Sequence, residues 1–286
     1  MDYPLEHHYV RTNGVRLHMV QCGPATGPLV VLLHGFPEFW YSWRQQIEVL
    51  AAAGYRVWAP DQRGYNLSDK PRGSRAYQLP TLAADIIGLL DAARQPQAII
   101  IGHDWGGIVA WYLATYHARR VARAAILNAP HPAGLPRALR QVPGQLLRSW
   151  YVLFFQLPWL PERLFRRRDY RFGVGALVKT SRPGTFGRAE LTAYKAAWAQ
   201  PGALTAMLNW YRALRYPAGR SGPARVVVPV QLIWGRKDAF LDARLAELSL
   251  QRCEQGELHY FPQAGHWVQH EEAEAVNALL LKFLTG

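Results

Sequence analysis

Cysteine is scarce in this sequence: there are two, Cys22 and Cys253, far apart and without a CxxC pair. No histidine stands near enough to either to complete a zinc-ligand spacing. Metal and redox motifs are therefore unsupported, no cofactor is expected, and the two thiols read as reduced and structural. Long apolar runs are missing too. The longest candidate, Trp150 to Leu160, is broken by Gln156 and Pro158 and falls short of the roughly 18 to 20 residues a spanning helix needs. The opening residues, Met1-Asp2-Tyr3-Pro4-Leu5-Glu6, lack the basic and apolar regions of a secretory signal, so a cytoplasmic protein is expected. There is no internal repeat and no low-complexity tract. What is present is 286 residues, 50% hydrophobic and 19% charged, enough for a full core and too apolar for a disordered chain.

Acidic residues are depleted in one stretch. Between His131 and Gly222 there are 15 Lys/Arg but only 3 Asp/Glu, so nearly all of the net +13 belongs to that segment. A charge so localised argues against a nucleic-acid-binding protein. Arg163, Arg166, Arg167, Arg168 and Arg171 follow directly on the apolar run from Trp150 to Leu160. Two readings of them stay open: a solvated arginine-rich face, or a weak peripheral contact with an anionic membrane.

Outside this segment, short β-rich runs alternate with helix-period stretches, the pattern of a mostly parallel sheet covered by helices. Glu6 to Thr12 and Val15 to Cys22 flank Asn13-Gly14, a two-residue hairpin signal. Strands are expected at Leu29 to Leu33, Arg56 to Ala59, Ala98 to Ile101, Ala124 to Leu127, Val226 to Trp234 and Leu258 to Phe261. Helices are expected at Ser42 to Ala53, Thr81 to Ala93, Gly106 to Tyr116, Leu241 to Arg252 and Ala273 to Leu284. The middle breaks the alternation and suits helices. The chain thus divides into a first core part at 1–130, a helical lid at 131–221 and a second core part at 222–286.

Gly102-His103-Asp104-Trp105-Gly106-Gly107 follows an apolar strand and opens a helix. Glycines around a central residue permit the tight turn that exposes a nucleophile. The central residue is Asp104, whose carboxylate is ionised at neutral pH and attacks without a base. Its attack on an ester or amide gives only a labile anhydride; its attack on saturated carbon gives an ordinary ester. Epoxides and alkyl halides are therefore favoured over acyl substrates, although a helix-capping Asp would use the same residue type.

After the earlier strand comes His34-Gly35-Phe36-Pro37, a loop able to set the Phe36 N–H beside that of Trp105 as an oxyanion hole. Trp234-Gly235-Arg236-Lys237-Asp238 and Gly265-His266-Trp267 each follow a β-rich run. Asp104, Asp238 and His266 stand in the order nucleophile, acid, base; Asp242 is a weaker rival for the acid, being inside an expected helix. His103 is expected to orient the turn, and His131 begins the lid. His7, His8, His18, His117, His259 and His270 lack motif context and read as surface or packing residues.

These motifs, with His34-Gly35-Phe36-Pro37-Glu38, Asp61-Gln62-Arg63-Gly64-Tyr65 and Lys237-Asp238-Ala239-Phe240, resemble those of an α/β-hydrolase-fold epoxide hydrolase, from about Tyr9 to Phe283. The resemblance is nearest to the vertebrate membrane-anchored branch, without that branch's N-terminal anchor. It implies the α/β-hydrolase fold, with an eight-stranded, mostly parallel sheet, helices on both faces and the inserted lid. It also implies two lid tyrosines that donate hydrogen bonds to the epoxide oxygen. The matching contexts are Trp150-Tyr151-Val152 and Asn209-Trp210-Tyr211, which assign Tyr151 and Tyr211. His34, Pro37, Trp105, Phe155 and Trp267 are expected to contact substrate.

The reaction implied is the opening of an apolar epoxide to a diol through an ester on Asp104, hydrolysed by water that His266 and Asp238 activate. A haloalkane dehalogenase with the same three residues is the alternative, since Trp105 could hold a departing halide. A non-catalytic protein that binds a lipophilic ligand is the third reading. The oligomeric state is left open.

Overall fold

Asn13 and Gly14 both have positive φ, 44° and 76°, as a two-residue hairpin turn requires. They join β1 (Glu6–Thr12) to β2 (Val15–Cys22) antiparallel, in the register the sequence suggests. The computed structural model describes residues 3–134, 141–216 and 225–285. β2 pairs antiparallel with β4 (Arg56–Pro60), and from there the sheet is parallel through β3 (Leu29–Leu33), β5 (Ala98–His103), β6 (Val121–Leu127), β7 (Val230–Gly235) and β8 (Gly256–Phe261). The order β1-β2-β4-β3-β5-β6-β7-β8 makes one eight-stranded sheet.

Every residue of β3 and β5 is buried, as befits parallel strands covered on both faces. Alternate side chains serve two cores. Leu29, Val31 and Leu33 join the cluster with α2 (Leu79–Ala92) and α3 (Trp105–Tyr116). Val30 and Leu32 join the opposite cluster, with α1 (Arg44–Ala52) and residues such as Val276 and Leu280 near the C-terminus.

Among the described residues, five α-helices lie between β6 and β7: α4 (Pro143–Arg148), α5 (Trp150–Phe154), α6 (Leu160–Lys179), α7 (Arg188–Trp198) and α8 (Ala203–Arg212). The expected lid boundary at 221 lies outside the described residues. These helices are fastened to core loops by buried indoles. Trp198 Nε1 donates to the Pro37 carbonyl at 2.6 Å, and Trp210 Nε1 to that of Arg63 at 2.9 Å. The helix α6 is interrupted: Arg167 is extended, and Arg168, Asp169 and Tyr170 follow at φ 50°, 54° and 61°. Two helical stretches thus meet at a left-handed corner. After β7 come α9 (Arg244–Leu250), α10 (Val268–Glu271) and α11 (Ala273–Thr285).

Two expected elements are shorter than their sequence patterns. The strand expected from Val226 starts at Val230, and Val226 makes only an isolated bridge to Cys253. Pro229 has no N–H for the ladder, although its carbonyl accepts from Ala124 at 3.0 Å. The helix expected from Leu241 starts at Arg244, because Asp238 Oδ1 takes the N–H groups of Phe240 and Leu241 and holds them in a turn.

Candidate active site

Asp104 occupies the turn between β5 and α3 at φ 50° and ψ −120°, a strained backbone for a non-glycine residue. The turn closes because its neighbours lack side chains. A Cβ on Gly106 would lie 2.0 Å from the Leu33 carbonyl oxygen, and one on Gly35 would lie 2.5 Å from the Asp104 Cβ. The loop after β3 can therefore come close enough for the Phe36 N–H to donate to Asp104 Oδ1 at 2.8 Å. Trp105 is the first residue of α3, so its N–H has no acceptor within the helix.

His266 Nε2 is 3.6 Å from Asp104 Oδ2, and its Nδ1 donates to Asp238 Oδ2 at 2.8 Å. Asp238 is itself anchored by four further donors or ties: the Phe240 and Leu241 N–H groups at 2.7 and 2.9 Å, Asn128 Nδ2 at 2.7 Å, and Arg148 on its carbonyl at 2.7 Å. Asp242 instead pairs with Arg244 at 2.9 Å. Burial opposes charge on His266, but Asp238 and Asp104 overcome it and push its pKa up to about 10. Burial likewise opposes charge on Asp104; His266, then His103 and the Phe36 N–H, hold that carboxyl below its ordinary value. The resting site is thus an imidazolium between two carboxylates.

Above Asp104 lies a cavity of about 510 Å³. Asp104, His266, Tyr151 and Tyr211 all line it, and so do Phe36, Pro37, Phe155 and Trp267. The two phenol rings sit edge to face with centroids 5.9 Å apart. Burial, and then the charge of Asp104, raises both phenol pKa values, which keeps both hydroxyls protonated. The Trp105 indole stands perpendicular to the Tyr211 ring, with centroids 5.1 Å apart.

Two of the substrate contacts expected from sequence are placed differently. His34 is fully buried and off the cavity, with Nδ1 on the Gly35 carbonyl at 3.0 Å and Nε2 accepting the Gln62 N–H at 3.0 Å. Both ring nitrogens are thereby used to hold one loop to another, which leaves none for substrate. The Trp105 side chain is taken up by Tyr211 and Trp210 and is not among the residues lining the cavity.

Behind the site is a polar network that sequence reading missed. Glu38 is buried and accepts from Tyr194 at 2.8 Å and from His270 at 2.7 Å, with His103 Nδ1 at 3.1 Å. His103 Nε2 donates to the carbonyl of His266 at 2.9 Å. His270 thus belongs to a charged network, not to a surface or an apolar core; its signal was the unpaired acid in Pro37-Glu38-Phe39, which needed a buried partner. His18 is likewise buried, with Nδ1 2.6 Å from Asp61 Oδ2. His131 is buried against Trp111 and Thr115, and burial lowers its pKa to about 4. Asn128, at φ 42° just after β6, was also missed, although asparagine is among the few residues that tolerate that conformation. Among the described residues no cluster of His, Cys, Asp or Glu could hold a metal ion, and no helix is long and apolar enough to cross a membrane.

A sequence profile of the alpha/beta hydrolase fold matches residues 28–273. The chain belongs to the α/β-hydrolase fold family. Among family members it is similar to the AB hydrolase superfamily protein YfhM of Bacillus subtilis, 48% identical over 96% of each chain. It is also similar to Epoxide hydrolase 4 of Homo sapiens, 38% identical over 97% of this α/β-hydrolase and 78% of that protein. A solved mutant of an epoxide hydrolase from Bacillus megaterium superposes with a TM-score of 0.88 at 29% identity, over 98% of this chain and 100% of the other.

Proposed function

We propose that this α/β-hydrolase opens apolar epoxides to vicinal diols. The observation that carries the reading is the pair of protonated phenols, Tyr151 and Tyr211, in one apolar-walled cavity with an aspartate at the nucleophile position. Asp104 attacks a saturated ring carbon, the C–O bond breaks, and the departing alkoxide takes hydrogen bonds from both phenols and a proton from one of them. Such donors stabilise charge that exists only as the ring opens. The product is an alkyl ester on Asp104.

Esterification removes the negative charge of Asp104, one of the influences that keep His266 protonated. The proton of His266 then restores the phenolate to a phenol, and the neutral imidazole serves as general base for the water that attacks the ester carbonyl, while Asp238 holds the ring in place. The Phe36 and Trp105 N–H groups receive the oxyanion. Pro37, Phe155 and Trp267 shape the apolar wall, and residues 131–221 act as a cap over the core formed by 1–130 and 222–286. The packing of the Trp105 ring against Tyr211 and Trp210, off the cavity wall, supports an oxygen leaving group over a halide.

The test is an assay of diol formation from styrene oxide beside halide release from bromoalkanes. Diol without halide is expected. Halide release alone makes the protein a dehalogenase, and neither product with tight binding of the substrates makes it a binding protein.

A further inference from the structure

The epoxide reading does not use the outer face of the cap, where apolar surface and positive charge are concentrated together. Among the described residues, eight of the twelve exposed large apolar side chains lie between Leu146 and Val178. Leu147 is 79% exposed, Leu153 72%, Trp159 66% and Trp150 58%. A cap helix that merely faced water would not expose two tryptophans and several leucines in so short a stretch.

The same stretch carries the exposed Arg163, Arg166, Arg167, Arg168 and Arg171, none of which has an ion-pair partner among the described residues. The acids nearby are already engaged: Glu162 with Arg212 at 2.7 Å, and Asp169 with Lys195. Trp159, Arg163, Arg166 and Arg167 line one open groove. Trp150, Arg171, Val178 and Lys179 line the main cavity itself. The mouth of the apolar cavity and the basic, apolar face therefore share α5 and α6, to which the face adds Leu147 from α4 and Trp159 at the start of α6.

We propose that this face is a peripheral docking surface for an anionic lipid bilayer. Leu147, Trp150, Leu153 and Trp159 enter the interfacial layer, where tryptophan is favoured, and the arginines lie among the headgroup phosphates. A second copy of the chain is a poor occupant, because it would set five arginines against five. An acidic protein would answer the charge but not the exposed leucines beside it, whereas a bilayer answers both. On the epoxide reading, the docked cavity takes apolar substrate from the lipid in which such compounds concentrate; the attachment itself does not depend on that reading.

The full chain is sedimented with vesicles of phosphatidylcholine alone and of phosphatidylcholine mixed with phosphatidylglycerol, at low and high salt. Binding to the anionic vesicles at low salt and release at high salt are expected. Each cation near an anionic surface strengthens attachment about fivefold, so Arg163→Gln, Arg166→Gln and Arg168→Gln together should weaken binding on the order of a hundredfold. Leu147→Ser with Leu153→Ser should weaken it about tenfold and leave its salt dependence intact. Circular dichroism and melting temperature establish that both variants are folded, independently of any activity. No binding at low salt overturns the proposal, as does binding that the triple variant retains. Self-association in sedimentation velocity that both variants abolish, with no vesicle binding, would make the face an interface between copies instead.

Discussion

Phe36 donates its backbone N–H to Oδ1 of Asp104 at 2.8 Å, while Oδ2 of the same carboxylate faces His266 at 3.6 Å. The two oxygens are therefore inequivalent before any substrate arrives. On the proposed mechanism, Oδ2 is the attacking atom, and Oδ1 becomes the ester carbonyl oxygen, already on the donor that receives negative charge in the second step. In heavy-oxygen water, a single turnover should leave the label in Asp104, with unlabelled oxygen in the first diol. Mass spectrometry of the peptide that contains Asp104 reads this directly. Label in the first diol would mean that water attacks the epoxide, and Asp104 would lose the nucleophile's role.

In the proposed mechanism His266 acts only after the ester has formed, so His266→Gln should still react once. The variant should accumulate as a protein heavier by one substrate mass, with turnover reduced by about a hundred- to ten-thousandfold. Intact-protein mass spectrometry after incubation with a good substrate is the measurement. An unmodified variant would place His266 in the first step.

The phenols are separable from the nucleophile in the same way. Tyr151→Phe and Tyr211→Phe each remove one donor and keep the ring, so each should slow alkylation by about ten- to a thousandfold, and the pair together more. Stopped-flow tryptophan fluorescence can follow the alkylation step. A single variant that alkylates at the parent rate would reduce its tyrosine to wall packing.

Protonation of His266 also ties the site to stability. Folding raises its pKa to about 10 from an ordinary value of 6.5, so the folded state holds this proton more tightly than the unfolded chain. The resulting stabilisation is complete below the unfolded value and fades as the pH rises through about 10. Melting temperature should therefore fall more steeply over that window in the parent protein than in His266→Gln. Parallel slopes for the two would show that His266 is neutral at rest.

How much of this was legible beforehand depended on the range of the signal. The hairpin and the hydrophobic strands were legible because their patterns are local: Asn13-Gly14 sets a turn, and Leu29 to Leu33 are uniformly apolar. Asp104, Asp238 and His266 could be named from motifs, since each follows a strand that must end at one edge of the sheet. The companions of these residues could not. Glu38 and His270 are 232 residues apart and meet only because the loop after β3 packs against α10, and no periodicity encodes that. His34 was misjudged for a related reason: its motif says that the loop matters, but not that the ring spends both nitrogens on holding Gly35 and Gln62.

The corner in α6 makes one helix into two parts with different duties. Residues after it, such as Phe172 and Val174, wall the cavity; residues before it, such as Arg163 and Arg166, line the outer groove. Three consecutive left-handed residues cost about 1 to 2 kcal/mol each, a standing charge that a straight helix would avoid. The return is modularity. With the two stretches set in different directions, a change of bulk in the wall does not propagate as a rotation of Arg163 and Arg166, and a change of charge at those two does not reshape the pocket. Substrate range and surface affinity can then drift independently along a single element.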